Sequence, residues 1–173
     1  MNVVARLIDR ISEFIGQAVS WICLLMVLLG ALNAVSRYLG RFVGVNLSST
    51  ALTEAQWYMF SAMFLLGGAW ALKKDSHVRV DVLYGRLSKR GRAIIDITGT
   101  LLFLLPFCVF GVWTSWGYVA NSIAQREVSP DPGGLLRYPI KALIPIAFVL
   151  LGLQAISMLI GAVGRLRGGD DAH

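Results

Sequence analysis

Chemistry starts from ionisable and metal-binding side chains, and this chain of 173 residues places few of them where they could act together. Its two histidines, His77 and His173, lie in a polar loop and at the C-terminus. A membrane haem held by two histidines needs both inside apolar segments, so haem ligation is not expected. Cys23 and Cys108 sit alone inside apolar runs, without the paired spacing of a zinc site or a disulfide framework. A proton-coupled exporter would place a carboxylate deep in an apolar helix, where its cost is justified by function. Glu54 instead opens an apolar run, a place the helix dipole already explains, and Asp96 lies at the start of another. Asn33 and Gln154 are the strong hydrogen-bonding groups inside apolar runs, and contacts between helices account for both. No phosphate-binding glycine loop or activated nucleophile is present, so no catalytic, metal or cofactor site is expected.

The elements that carry these residues are set by composition. Hydrophobic residues make up 56% of the chain and charged residues 15%, against roughly 25% charged in soluble domains. The apolar residues come as long runs rather than stripes, which predicts an all-α integral membrane protein forming a single domain over residues 1–173. Four transmembrane helices are expected, at about 15–38, 53–72, 93–121 and 139–163. The first run is too long for a cleaved signal peptide and lacks a small-residue cleavage site. Thr53 and Gln56 have the spacing of a capping box for the second helix. Trp57, Tyr58 and Trp70, and later Trp113, Trp116 and Tyr118, form interfacial aromatic belts. Pro106 should bend the third helix and Pro145 should disturb the fourth. The segment 125–136, with Pro130, Pro132, Gly133 and Gly134, reads as a loop without an assigned role.

Between the second and third runs lies a basic island, Trp70 to Asp96, with seven of the sixteen Lys and Arg residues. Val80, Leu83, Tyr84 and Leu87 recur there at helical spacing, with Arg86, Lys89 and Arg90 between them. That pattern predicts an amphipathic helix at about 80–91, capped by Asp81 and lying against lipid headgroups. The two termini and the island together carry eleven basic residues and the other two connectors five, which puts both termini in the cytoplasm. The net charge of +6 thus reports membrane topology and not nucleic-acid binding. Gly30 with Ala34, Gly67 with Ala71 and Ser157 with Gly161 are small-residue pairs that allow close helix approach.

One family shares the order of these features. Asn33-Ala34-Val35-Ser36-Arg37-Tyr38 closes the first helix, Glu54 opens the second, and Gly67-Gly68-Ala69 lies late in it. His77-Val78-Arg79-Val80-Asp81-Val82-Leu83 follows, then Glu127 and Ser129 before the fourth helix and Gln154 within it. Over roughly residues 15 to 160 this resembles the small membrane subunit, DctQ type, of tripartite ATP-independent periplasmic (TRAP) transporters. The resemblance implies a non-catalytic scaffold in the bacterial inner membrane. It would brace a large subunit that carries the substrate and sodium sites, during sodium-coupled uptake of an organic acid. It also implies a periplasmic binding protein docking on the outer connectors. Asn33, Arg37, Glu54, His77, Arg79, Asp81 and Gln154 become structural or partner-facing candidates, with Arg37 and Glu54 close enough to pair. The competing readings are an autonomous four-helix transporter working as a homodimer, and a haem-free anchor of another complex.

Overall fold

The computed structural model describes residues 3–44, 49–76 and 88–167. Among them the chain is helical, with one isolated antiparallel bridge, Val128 to Leu136. The helices are α1 (Val3–Val43), α2 (Thr50–Lys73), α3 (Lys89–Gly99), α4 (Leu105–Ala124) and α5 (Tyr138–Arg167), with a π-helical turn, Thr100–Leu104, joining α3 to α4. α5 is the hub, in contact with each of the other four. Contacts between Asp9, Lys73 and Ser157 define one end of the bundle, near the chain termini. Contacts between Glu54, Ser129 and Leu135 define the opposite end, near the two connectors.

α1 is longer than the apolar run that nucleates it. Its 41 residues span about 60 Å, twice a hydrocarbon core of about 30 Å. No Gly or Pro interrupts the segment before the run, and Ala5, Ile8, Ser12 and Gly16 continue one buried stripe at helical spacing. The helix therefore begins at Val3, ahead of the transmembrane run expected from residue 15.

α2 begins at Thr50, after Ser49, and the expected Thr53–Gln56 capping box does not form. The Thr53 N–H is already bonded to the Ser49 carbonyl, so both side chains are released toward α1. Thr53 Oγ1 accepts from Asn33 Nδ2 at 3.2 Å, and Gln56 Nε2 donates to the Leu29 carbonyl at 3.4 Å.

The candidates His77 and Arg79, and most of the predicted interfacial helix, including Val80, Asp81, Leu83, Tyr84, Arg86 and Leu87, lie outside the described residues. Lys89 and Arg90, which the sequence pattern gave to that helix, instead open α3. Ser88 caps α3 from an extended conformation, its side chain accepting from the Gly91 N–H at 3.1 Å. Pro106 produces a π turn: lacking an N–H, it cannot serve an α-type bond, and the Leu105 N–H reaches back five residues to the Thr100 carbonyl. Pro145 is absorbed without interrupting α5, as happens where neighbouring helices hold a proline-bearing segment.

The interior is built from small residues. Ala5, Ala69, Ala93, Ala147, Ala155 and Ala162 are buried, and among the described residues no large side chain is fully enclosed. Large apolar groups face outward instead, with Phe64, Phe103 and Trp113 each about three-quarters exposed. This inversion suits a solvent of hydrocarbon, in which small residues let helices approach and large ones meet lipid or partner. α1, Arg90–Ala124 and Tyr138–Gly164 are each long and apolar enough to cross a membrane. Two helix glycines outside the small-residue pairs are tightly covered by side chains: a methyl on Gly16 would overlap the Trp70 ring, and one on Gly111 would lie 2.7 Å from Phe148.

Candidate functional site

At the connector end the segment 125–137 folds as a short hairpin over the mouth of the bundle. α4 stops in a Schellman motif, with Arg126 at φ 46° and the Glu127 N–H bonded to the Ser122 carbonyl at 3.0 Å. The chain then doubles back: Ser129 N–H bonds Leu135 O at 3.0 Å and Arg137 N–H bonds Glu127 O at 2.8 Å. Gly133, at φ 75°, makes the turn that brings these strands together.

Glu54, 4% exposed, fastens this hairpin to α2. Its carboxylate accepts from the Ser129 hydroxyl and from the Leu135 N–H, the latter at 2.5 Å. Tyr58, one turn along, donates to the Leu136 carbonyl at 3.0 Å. Gly134 is required by proximity: a Cβ there would collide with Ser129 and sit 2.8 Å from Glu54 Oε2. Glu127 accepts from Ser122 Oγ at 2.7 Å and pairs with Lys141, whose ammonium lies 4.2 Å from the Tyr118 ring centroid. The hydrogen bond from Lys141 holds the Glu127 carboxyl below its ordinary range, helped by Ser122 and opposed by desolvation.

The terminal end is tied differently. Gln154, 3% exposed, accepts from Ser12 Oγ at 2.6 Å and donates to Asp9 Oδ1 at 3.0 Å. Ser157 Oγ donates to the same Asp9 oxygen at 2.8 Å. Lys73 closes the ring from α2, donating to Glu13 at 2.6 Å and to the Asp9 carbonyl at 2.7 Å. Three helices, α1, α2 and α5, are thereby joined side chain to side chain.

The expected site residues divide accordingly. Asn33 and Gln154 both bond a neighbouring helix. Arg37 and Glu54 do not pair: the carboxylate is occupied by Ser129 and the Leu135 N–H, which belong to a loop that sequence spacing could not place. Arg37 instead lines a cavity of about 320 Å³ with Gly30, Asn33, Ala34, Tyr38, Arg41 and Gln56. The spacing of Asp9, Ser12 and Glu13 on the Ala5–Gly16 stripe was the available signal for the terminal network. Among the described residues no group of three His, Cys, Asp or Glu side chains could hold a metal ion.

A family model described as "Tripartite ATP-independent periplasmic transporters, DctQ component" matches residues 26–165. The chain belongs to this DctQ family. It is also 28% identical over 156 residues to a Haemophilus influenzae protein named "Putative TRAP transporter small permease protein", covering 87% of this chain and 88% of that one. No solved structure matches at a significant level. The DctQ region contains Asn33, Glu54, the 125–137 hairpin and Gln154, while Asp9 and Glu13 precede it. The family is a transporter component, and the apolar exterior of this DctQ protein identifies it as a membrane protein.

Proposed function

We propose that this DctQ protein is the scaffold subunit of a TRAP transporter in a bacterial inner membrane, bracing a large transport subunit during sodium-coupled uptake of an organic acid. α2 forms a fourth crossing, running antiparallel to α1 and α4 and parallel to α5, and both termini are cytoplasmic. Basic residues support that topology: eleven of the sixteen belong to the termini and the central island. The terminal network then lies at the cytoplasmic face and the hairpin at the periplasmic face, where a substrate-binding protein can reach it.

The observation that carries the reading is how the buried polar groups are used. Asn33, Glu54, Gln154 and Ser157 bond other elements of this chain. Meanwhile α1 and α4 present uncovered large apolar side chains such as Trp21, Leu28, Phe110 and Trp113. A body tied internally at both ends and apolar along its flanks serves as a fixed support. No enzymatic role and no cofactor enter this reading.

Co-expression with the genes neighbouring its own, followed by detergent extraction through a tag on this chain, tests it. A stable one-to-one complex with a large polytopic protein is expected. A homodimer that binds substrate without any partner would overturn the scaffold reading in favour of an autonomous transporter.

A further inference from the structure

The cavity lined by Arg37 is not used by either polar network. Its α1 residues, Gly30, Asn33, Ala34, Arg37, Tyr38 and Arg41, form one helical stripe, and Gln56 of α2 closes the other side. From Gly30 to Arg41 the stripe covers twelve residues, or about 16 Å along the helix axis. Polarity is graded along that length. The two guanidinium groups, one turn apart, sit at the connector end, and the described salt bridges involve neither. One to two turns deeper lie the carboxamides of Asn33 and Gln56. Each carboxamide nitrogen carries two hydrogens and has one acceptor, Thr53 Oγ1 for Asn33 and the Leu29 carbonyl for Gln56. Below and beside them the surface is exposed hydrocarbon, including Val27, Leu28, Leu32, Phe60 and Phe64.

We infer that this cleft is a binding site for one phospholipid, its phosphodiester held by Arg37 and Arg41 and its ester carbonyls facing Asn33 and Gln56. The order of groups along α1 matches the order along such a lipid: charge, then hydrogen-bond acceptors, then acyl chain. Guanidinium forks suit phosphate oxygens geometrically and form the stronger charge-assisted hydrogen bonds. A free phosphate shares that headgroup chemistry but makes no use of the amides or the apolar wall. The inference rests on the reading of α1 as membrane-spanning, with Arg37 and Arg41 near one membrane face.

The test uses the full chain, delipidated in detergent and examined by native mass spectrometry with added phosphatidylglycerol. Diacylglycerol with the same acyl chains and inorganic phosphate serve as the comparison ligands. Phosphatidylglycerol should bind one-to-one, and Arg37→Gln with Arg41→Gln together should weaken it roughly tenfold or more. Arg6→Gln with Arg10→Gln, at the other end of α1, should leave that binding unchanged. Equal binding by the Arg37/Arg41 variant, or equal binding of diacylglycerol, would overturn the lipid site. Full competition by inorganic phosphate would show a free-anion site instead. Loss of the large subunit in that variant with lipid binding intact would assign the cleft to a partner's carboxylate and also overturn the proposal. Carbonate extraction of membranes holding the wild-type chain separates the two readings: its release would refute the membrane-spanning assignment itself, whatever the lipid result.

Discussion

The two ends of the bundle use similar groups for different purposes. At the connector end, Glu54 and Tyr58 of α2 bond backbone atoms and a serine of the 125–137 hairpin, so their partners are irregular chain. At the terminal end, Ser12, Gln154, Ser157 and Asp9 bond one another between α1 and α5, with Lys73 joining from α2. The first arrangement gives a loop one shape above the bundle. The second sets the axial register of helices whose apolar packing alone would tolerate sliding. In apolar surroundings both are needed, because small-residue interfaces lack the directional information that hydrogen bonds supply.

The sharpest way to break this contrast is to crowd each end. Gly134→Ala places a methyl against Ser129 and Glu54, and should cost about 1–3 kcal/mol as an overpacking change. Displacing Ser129 would also deprive a buried carboxylate of a donor, so this is the largest effect expected. Thermal unfolding in detergent measures it, and hydrogen exchange should rise across 125–137 while the terminal end stays protected. Gly16→Ala crowds Trp70 and should show the reverse distribution at a comparable cost of about 1–3 kcal/mol. If both variants loosened both ends equally, the ends would form one cooperative unit and the distinction would fail.

Smaller changes sharpen it. Gln154→Leu removes a donor from Asp9 and the acceptor of Ser12, and should cost about 1–2 kcal/mol. A cycle with Ser12→Ala should be non-additive by about 0.5–1.5 kcal/mol, whereas a cycle of Gln154→Leu with Ser129→Ala should be additive. Acid affects the hairpin through Glu127. Its carboxyl is held below the ordinary value in the folded state, so its contribution is complete above the unfolded value. That contribution disappears as pH falls through the lowered one. Exchange at 125–137 should therefore be flat around neutrality and rise only in acid, and Glu127→Gln should reduce the rise. The smallest effect is favourable: Arg126, at φ 46°, should gain up to about 1 kcal/mol on replacement by Gly.

Much of this was legible in the sequence, and the gaps have identifiable causes. The four apolar runs marked helices because a hydrocarbon solvent leaves few alternatives for the backbone. Asn33 and Gln154 were recognisable as helix-to-helix contacts because a buried carboxamide needs a partner. Glu54 was singled out, but its partners lie 75 and 81 residues away in a loop whose turns depend on Gly133 and on left-handed Arg126. No local spacing encodes that encounter. Thr53 and Gln56 looked like a cap because the helix start was placed at the apolar boundary, while the backbone continues through Thr50 to Ser49. Asp9 and Glu13 were overlooked for a similar reason: they precede the apolar run, although the helix includes them. Proline at position 106 signalled a disturbance, and the π turn is its form.

That turn also preserves phase. The buried residues Ala93 and Thr100 precede Pro106, and Cys108, Gly111, Val119 and Ser122 follow it. Ala93 and Thr100 are seven residues apart, which is close to two whole turns, but Thr100 and Cys108 are eight apart. At about 100° per residue, eight steps of ordinary α-helix would swing the later residues some 80° off the seam. The wider turn takes up the additional residue, so the contact line against α5 continues on the same bearing past the proline. Deleting one residue from 100–104 while replacing Pro106 with Leu should leave a plain α-helix whose seam still points at α5. The same deletion with Pro106 retained would force a choice between the ring's clash and the alignment of everything downstream.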